Sequence, residues 1–394
     1  MFVANRVFAA TRGGGDTVSP DKCERQRLFD ANTKLHQVLN GSKSKIASVR
    51  NWNTLKRITN DYELIGGVDA GGVSRMTPIS RSYFKMWEIL TDHVPDAFMA
   101  KPNSLRCAFL AEGPGGFVES VATYRAFGKQ TRSAQAGLGG ADADEMHCIT
   151  LAQHGMPGWQ QLYSRKWVRA NPGRCKIHVG ADGTGDLYNH ANIDHFVTSV
   201  GGEQSCHLVT ADGGFDVSQN YNMQEDLSLR LQVCETYAAL RVQQTGGIFV
   251  LKLFDISHPN TVALVWLLTQ VYKYVKIVKP VTSRPANSEK YAVCIEHIPC
   301  PHITELLRAN VDTDKPPTFD EVIGIIPIPF LKELYRYNTR YTARQAHYIN
   351  NTIDLSNTTN VSTNMQQQRF QQQRHIAMKW CKDHRIPCKK RYTA

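Results

Sequence analysis

Short apolar runs punctuate the middle of the chain, and longer stretches of mixed polarity separate them. Leu105–Ala111, Cys148–Leu151, Lys176–Val179, His207–Ala211, Ile248–Leu253, Tyr274–Val278 and Tyr291–Ile295 read as seven short strands. Gln224–Gln244 and Thr261–Tyr272 are the clearest helices between them. Alternation of this kind predicts an α/β fold, a mostly parallel sheet with helices on both faces. A loop holding Pro280 and Pro285 joins the last two runs and is too short for a crossover helix, so the last strand is expected to be antiparallel.

The flanks follow other patterns. SPDKCERQRLFDANTKLHQVLNG reads as a helix capped by Ser19, with Pro20 in its first turn and Asn40-Gly41 as its stop. Leu28, Ala31, Leu35 and Val38 share one face of it. After Pro299, IIPIPF reads as a proline-punctuated extended segment and Leu331–Tyr348 as a helix. NNTIDLSNTTNVSTNMQQQRFQQQR is poor in apolar residues and is expected to be mobile, and the end, KWCKDHRIPCKKRYTA, is strongly basic. No internal repeat is visible.

One position breaks the apolar pattern. In GGIFVLKLFD, Gly246–Asp255, Lys252 interrupts a run whose continuity suits a strand buried on both faces. Either Lys252 ends the strand and reaches solvent, or it is held inside for a purpose.

Composition narrows the function classes. The chain has 394 residues and 42% hydrophobic content, enough for a real core with extensions. Its formal net charge of +11 favours polyanions, nucleic acid or an anionic membrane. No apolar run approaches bilayer length, so no membrane is expected as a partner. The N-terminus lacks a signal-peptide core, while Arg6 and Arg12 with no acid before Asp16 leave a transit peptide as a secondary reading. Ten scattered cysteines suit a reducing, intracellular compartment. Cys381, His384 and Cys388, and His297, Cys300 and His302, fall short of a complete zinc spacing, so no metal is expected.

Four segments carry candidate chemistry. CAFLAEGPGGFVESV runs an apolar strand into Glu112-Gly113-Pro114-Gly115-Gly116 and then, from Phe117, into a helix. Glycines at such a turn let backbone approach a ligand, and the helix N-terminus offers free N–H groups, although a purely structural turn looks the same. The spacing is not that of a dinucleotide-binding loop, which disfavours a nicotinamide dehydrogenase. VTADGGFD ends a strand at Asp212, which either faces the same crevice or caps the next segment. SRSYFKMWEIL puts Lys85 one turn into an amphipathic helix with Phe84, Trp87 and Ile89, and TSRPANSEKYAV puts Glu289 just before the last strand. Each of these last two is unremarkable alone.

Together, Lys85, Asp212, Lys252 and Glu289 resemble the Lys-Asp-Lys-Glu set of FtsJ-like S-adenosylmethionine-dependent RNA 2′-O-methyltransferases. SRSYFKMWEIL, EGPGGF, TADGGF, TGGIFVLKLFD and TSRPANSEKY are similar to segments of the cap ribose methyltransferases of eukaryotes and large DNA viruses. GADGTGDLYNHANI resembles their segment beside the cofactor adenine. The likeness runs in order from about Pro78 to Glu296.

The resemblance implies a Rossmann-like class I methyltransferase domain over 78–297, between a helical N-terminal extension, 1–77, and a C-terminal extension, 298–394. It implies S-adenosyl-L-methionine as cofactor. Glu112, Gly113, Pro114, Gly115, Gly116 and Phe117 would surround its amino-acid part, with Ile149 and Thr150 near ribose and adenine. Asp186 would accept from the adenine amino group, with Asp182 as competitor. Lys252 would take the proton of a ribose hydroxyl, which asks its pKa to fall from ~10.4 toward about 7–8. Burial and Lys85 push it down, and Asp212 and Glu289 push it up. The implied partner is capped RNA. A methylated guanine would seek aromatics and a carboxylate, and Phe215, Asp216, Tyr221 and Asn222 offer them. Arg284 either holds a phosphate or is a structural turn arginine, and the basic tail is either a solvated end or a phosphate contact. Other capping or transcription proteins are further candidate partners. The compartment would be cytoplasmic for a viral enzyme and nuclear for a cellular one. Ribosomal or transfer RNA as substrate, and a non-catalytic RNA-binding protein on a degenerate methyltransferase fold, are the competing functions.

Overall fold

The computed structural model describes residues 2–3, 20–66, 71–100, 104–130, 144–152, 159, 162, 164–165, 168–169, 173–215, 221–311, 313, 315–357 and 363–389. The strands are Phe2–Val3 (β1), Arg106–Leu110 (β2), Glu145–Ile149 (β3), Cys175–His178 (β4), Cys206–Ala211 (β5), Gln243–Leu253 (β6), Tyr272–Val278 (β7) and Lys290–His297 (β8). They form one sheet in the order β1-β7-β8-β6-β5-β2-β3-β4. All seven runs become strands. The second run, β3, starts earlier than its apolar residues alone indicate, because Glu145 and His147 find partners within the sheet, Arg106 and His178. β2 to β6 are parallel to one another, and β8 inserts antiparallel between β6 and β7, as the short connection requires. From β2 the chain first builds outward through β3 and β4, then returns to β5 on the other side. This reversal falls between β2 and β5, and the carboxyl ends of strands at such a point are where open α/β sheets hold ligands.

Helices cover both faces: Pro20–Ser44 (α1), Trp52–Ile58 (α2), Ser82–Asp92 (α3), Asp96–Met99 (α4), Gly116–Gln130 (α5), His190–Ser199 (α6), Gln224–Val242 (α7), Pro259–Val271 (α8), Pro301–Arg308 (α9), Asp320–Ile325 (α10), Ile328–Asn357 (α11) and Thr363–Asp383 (α12). Side chains alternate between faces along each strand. Ala108, Leu110, Phe249, Leu251 and Leu253 pack under α6, α7 and α8, while Cys107, Phe109, Ile248 and Val250 pack under α3 and α5. Lys252 belongs by period to the second set. It therefore points toward α3 and α5 and not into solvent beyond a finished strand. No described helix is long and apolar enough to cross a membrane.

The flanking regions are built into the same body. α1 lies along α11. Its buried stripe is Phe29, Asn32, Leu39, Ser42 and Lys43, rotated from the expected Leu28, Ala31, Leu35 and Val38. Val38 is exposed. The rotation follows from partners: Asn32 donates to the carbonyl of Ile256 at 3.1 Å, and Lys43 meets Asp255 at 2.5 Å. Asn338 of α11 donates to the same Ile256 carbonyl at 2.7 Å, and Glu225 of α7 accepts from the amides of Ser257 and His258. Residues 255–258, the chain's exit from β6, are thus held from three helices. α1 also runs past Asn40-Gly41 to Ser44, and Ser19 lies outside the described residues.

At the other end, IIPIPF is not extended throughout, since Pro329 stands in the first turn of α11. Much of the stretch expected to be mobile is helical, as the end of α11 and the start of α12. Few apolar side chains are needed to dock α12: Ala377, Trp380 and Cys381 join Tyr83, Phe84 and Trp87 in one buried cluster. Gln373 donates to the carbonyls of Arg57, Ile58 and Asn60. Residues 390–394 of the basic tail lie outside the described residues.

Lys43 and Asp255 are almost fully buried, so removing the cation leaves a carboxylate short of compensation. Lys43→Ala is expected to lower unfolding free energy by about 3 kcal/mol, read from urea denaturation at neutral pH. The pair depresses the Asp255 pKa against the cost of burial, Lys43 and Lys290 being the main causes. Its contribution is therefore present above the unfolded aspartate pKa of ~3.9 and fades as pH falls through the lower folded value. The stability gap between Lys43→Ala and the parent chain should narrow only in strong acid.

Candidate active site

The antiparallel register of β6 and β8 sets Lys252 directly opposite Tyr291. Glu289 stands two residues before Tyr291 and so lies toward the same face. α3 crosses that face and brings Lys85. Lys85 Nζ lies 2.8 Å from Glu289 Oε1, and Lys252 Nζ lies 3.4 Å from Asp212 Oδ1 and 3.2 Å from the Asp212 carbonyl. The Tyr291 hydroxyl stands 2.9 Å from Asp212 Oδ1 and 3.2 Å from Glu289 Oε1. With one proton to give, it donates to one carboxylate at a time and ties the two pairs into one array. Lys252 also lies over the ring of Phe254, 5.5 Å from its centroid. All four residues singled out from the sequence therefore converge. Tyr291 and, beneath them, Glu235 are members that sequence reasoning missed. The SEKY spacing carries a signal for Tyr291, two positions after Glu289 on one strand; a glutamate inside α7 carries none.

The loop that delivers Glu289 is fixed to the same helix. Glu88, one turn after Lys85, accepts from the amides of Val281 and Thr282 and from the Thr282 hydroxyl. Lys279 donates to the carbonyls of Asn287 and Glu289.

Electrostatics set the charge states. Burial opposes ionisation of Glu289, but Lys85 and Lys252 outweigh it and bring its pKa to about 2. Burial also acts first on Lys252 and would pull its pKa down; Asp212, Glu289 and Glu235 together overcome this, and the pKa is raised. The lowering expected of a lysine base does not occur in this arrangement, because three acids face the ammonium. Tyr291 is pushed up by burial and by the same carboxylates, which keeps it a donor.

Beside this array, Ala111 takes a left-handed conformation, φ 52°, and turns the chain out of β2 into Glu112. Gly113, Pro114 and Gly115 form the turn, Gly115 donates to the Glu112 carbonyl at 2.7 Å, and α5 starts at Gly116. Phe117 packs its ring 5.7 Å from that of Tyr291. Glu112 is buried. Its Oε1 accepts from the Thr210 hydroxyl, while its Oε2 has no hydrogen-bond partner. Burial, and then Asp212, push the Glu112 pKa well up. A buried carboxylate with an oxygen to spare suits a cationic or N–H-donating ligand.

Farther along the edge, Gly185 allows a close approach. Its φ is +67°, and an added Cβ would stand 2.1 Å from the Thr150 carbonyl oxygen. This contact sets Gly185, and Asp186 next to it in the chain, against the backbone of Thr150 at the end of β3. Asp182 is used within its own loop: it accepts from the Thr184 amide and hydroxyl and from Asn189, and those bonds, Thr184 first, lower its pKa to about 2. Asp186 spends one oxygen on the Tyr188 amide.

The residues proposed for RNA are placed differently. Asn222 donates to Ser44 of α1, and Tyr221 packs against the cluster of Leu39, Ile46 and Ile349. Phe215 is exposed, and Asp216 lies outside the described residues. Arg284 is bound at both ends by Glu63, at 3.1 and 2.9 Å, the bond pattern of a structural arginine. Arg57 and Arg81 approach the same carboxylate at 3.3 and 3.5 Å, so the cluster keeps surplus positive charge. Among the described residues, no three histidine, cysteine or acidic side chains are grouped to hold a metal.

A model of the FtsJ-like methyltransferase family matches residues 78–297, more than half of the chain. The chain belongs to this family. Membership implies S-adenosylmethionine as methyl donor. The chain is 35% identical over 214 residues to cap-specific mRNA (nucleoside-2′-O-)-methyltransferase 1 of Trypanosoma brucei brucei, covering 52% of each. It is 30% identical over 258 residues to the corresponding methyltransferase 1A of Caenorhabditis briggsae, covering 61% of this chain and 27% of that one. An inactive 1B form from the same nematode is 31% identical over 258 residues, covering 61% and 28%. The chain thus spans about a quarter to a half of the length of these relatives. Identity alone does not separate the active relative from the inactive one, so side-chain geometry has to decide.

Gly183 and Gly185 both have positive φ, but only Gly185 meets backbone within 4 Å. Alanine at either position carries the strain of a left-handed residue, roughly 1–2 kcal/mol. Gly185→Ala adds the clash with Thr150. It should lower the thermal midpoint clearly more than Gly183→Ala, and weaken S-adenosylmethionine binding by calorimetry where Gly183→Ala does not.

Proposed function

We propose that this methyltransferase acts on the ribose 2′-hydroxyl of RNA, at the cap-proximal end of capped mRNA. The observation that carries the reading is the convergence of Lys85, Asp212, Lys252 and Glu289 through Tyr291 on one edge of the sheet. A net charge of +11 suits a polyanionic substrate. The names of the relatives point to capped mRNA.

Bound S-adenosylmethionine supplies an electrophilic methyl group. Glu112 Oε2 would hold its ammonium, the glycine turn its carboxylate end, and Asp186 its base. Lys252 would grip the ribose 2′-oxygen and, in its neutral form, accept the hydroxyl proton as that oxygen attacks. Asp212 and Glu289 would fix the two ammonium groups and accept from the ribose, and Lys85 would hold Glu289 in place. Acids that raise the Lys252 pKa make the neutral form scarce at pH 7, so these groups exchange some rate for orientation.

The test is transfer of labelled methyl to a short RNA, capped or uncapped, with nuclease mapping of the product. Methylation of the capped RNA alone at a first or second nucleotide ribose supports the reading; transfer to a base, or equally to uncapped RNA, overturns it. Lys252→Ala should lower kcat at least about a hundredfold, with S-adenosylmethionine affinity within about twofold. Because the Lys252 pKa is raised, log kcat should climb with a slope near one from about pH 6 to 8. A flat profile would remove Lys252 as the base.

A further inference from the structure

We propose that Glu235, a residue outside the Lys-Asp-Lys-Glu set, is a positioning residue that fixes the Asp212-Gly213-Gly214 turn and sets the ionisation of Lys252. The inference rests on the reading of Lys252 as proton acceptor. Glu235 lies in α7, fully buried at 0% exposure, under the carboxyl end of β5. Its Oε1 accepts from the Gly213 amide at 3.1 Å, and its Oε2 has no partner.

The two glycines of the turn are pressed from opposite sides. A Cβ on Gly213 would stand 2.3 Å from Glu235 Oε1, and a Cβ on Gly214 would stand 3.1 Å from Lys252 Nζ. Only two side-chain-free residues separate the buried carboxyl from the ammonium, and Asp212 begins the same turn. An apolar side chain of similar size could fill the space under the sheet. A carboxyl there costs desolvation, and one hydrogen bond to an amide does not use its second oxygen. Its capacity to change charge is what distinguishes it from glutamine, which would keep the amide bond.

The groups that face Glu235 are few. Glu112 at the end of β2, Asp212 after β5 and Lys252 on β6 stand across the sheet edge; Arg230 and Cys234 share its helix, and Tyr188 lies by α6. Burial raises its pKa to about 8, with the Gly213 bond and Lys252 opposing and Asp212 adding. Near pH 7 Glu235 is mostly protonated and neutral. As pH rises through its pKa it becomes a third carboxylate facing Lys252, beside Asp212 and Glu289, and the lysine proton is then held more tightly. Glu235 so flattens the alkaline rise of the reaction.

The test compares kcat–pH profiles of the parent chain and Glu235→Gln on capped RNA, each normalised to its own rate at pH 7. The parent profile should bend to a shallower slope above about pH 8, while that of Glu235→Gln stays straight and exceeds it by about threefold or more at pH 9.5. S-adenosylmethionine affinity should follow neither change. Superimposable profiles would overturn the inference and leave Lys252 as base; a parent profile without any lysine limb would instead remove the proton-acceptor reading itself. If Glu235→Gln does not fold, competitive acetylation of Lys252 in the parent chain, read by mass spectrometry across pH, replaces it. A two-step titration with a break near the Glu235 pKa supports the coupling, and a single-site curve overturns it.

Discussion

Two ammonium groups and two carboxylates share a nearly dry edge of the sheet, and neither ion pair stands there without the other. Lys252 alone in a buried strand would lose its proton or push the strand apart. Burial alone would push Glu289 toward its protonated form, and Lys85 and Lys252 prevent this. The array closes because the Tyr291 hydroxyl sits between the acids and because α3 carries Lys85 to the same place. What reads in one dimension as a flaw in an apolar run is in three dimensions the centre of a balanced set of charges.

Much of the molecule's remaining construction serves to keep that edge in register. The β6–β8 pairing sets Lys252 against Tyr291, Glu88 holds the loop before Glu289, and residues after Lys252 are held from α1, α7 and α11. Family membership accounts for the central sheet. The helices α1, α2, α11 and α12 lie outside the matched residues, and their contacts are made by polar groups as well as apolar ones.

That difference explains what could be read from the residues. The strands and the antiparallel return follow from short apolar runs and one short connection, which are local, and the four site residues follow from the resemblance of their motifs to a known family. The buried stripe of α1 did not follow, because Asn32 and Lys43 are inside only by virtue of Ile256 and Asp255, more than two hundred positions away. The docking of α12 by Gln373 was hidden for the same reason: glutamine-rich sequence says nothing of three carbonyls waiting elsewhere. The charge state of Lys252 needed Glu235, whose place in α7 no spacing rule marks. Sequence spoke for the elements and was silent on polar groups satisfied across long distances.

The grip of α1 and α11 on the segment leaving β6 carries an implication for synthesis. A ribosome makes Asn32 and Lys43 first, Asp255 and Ile256 long afterward, and Asn338 later still, yet all five meet around one short stretch. During translation the central sheet can form while that stretch lacks its last clasp. The part of the protein nearest the chemistry is therefore among the last to take its final shape, and its completion waits for helices that contribute no reacting group.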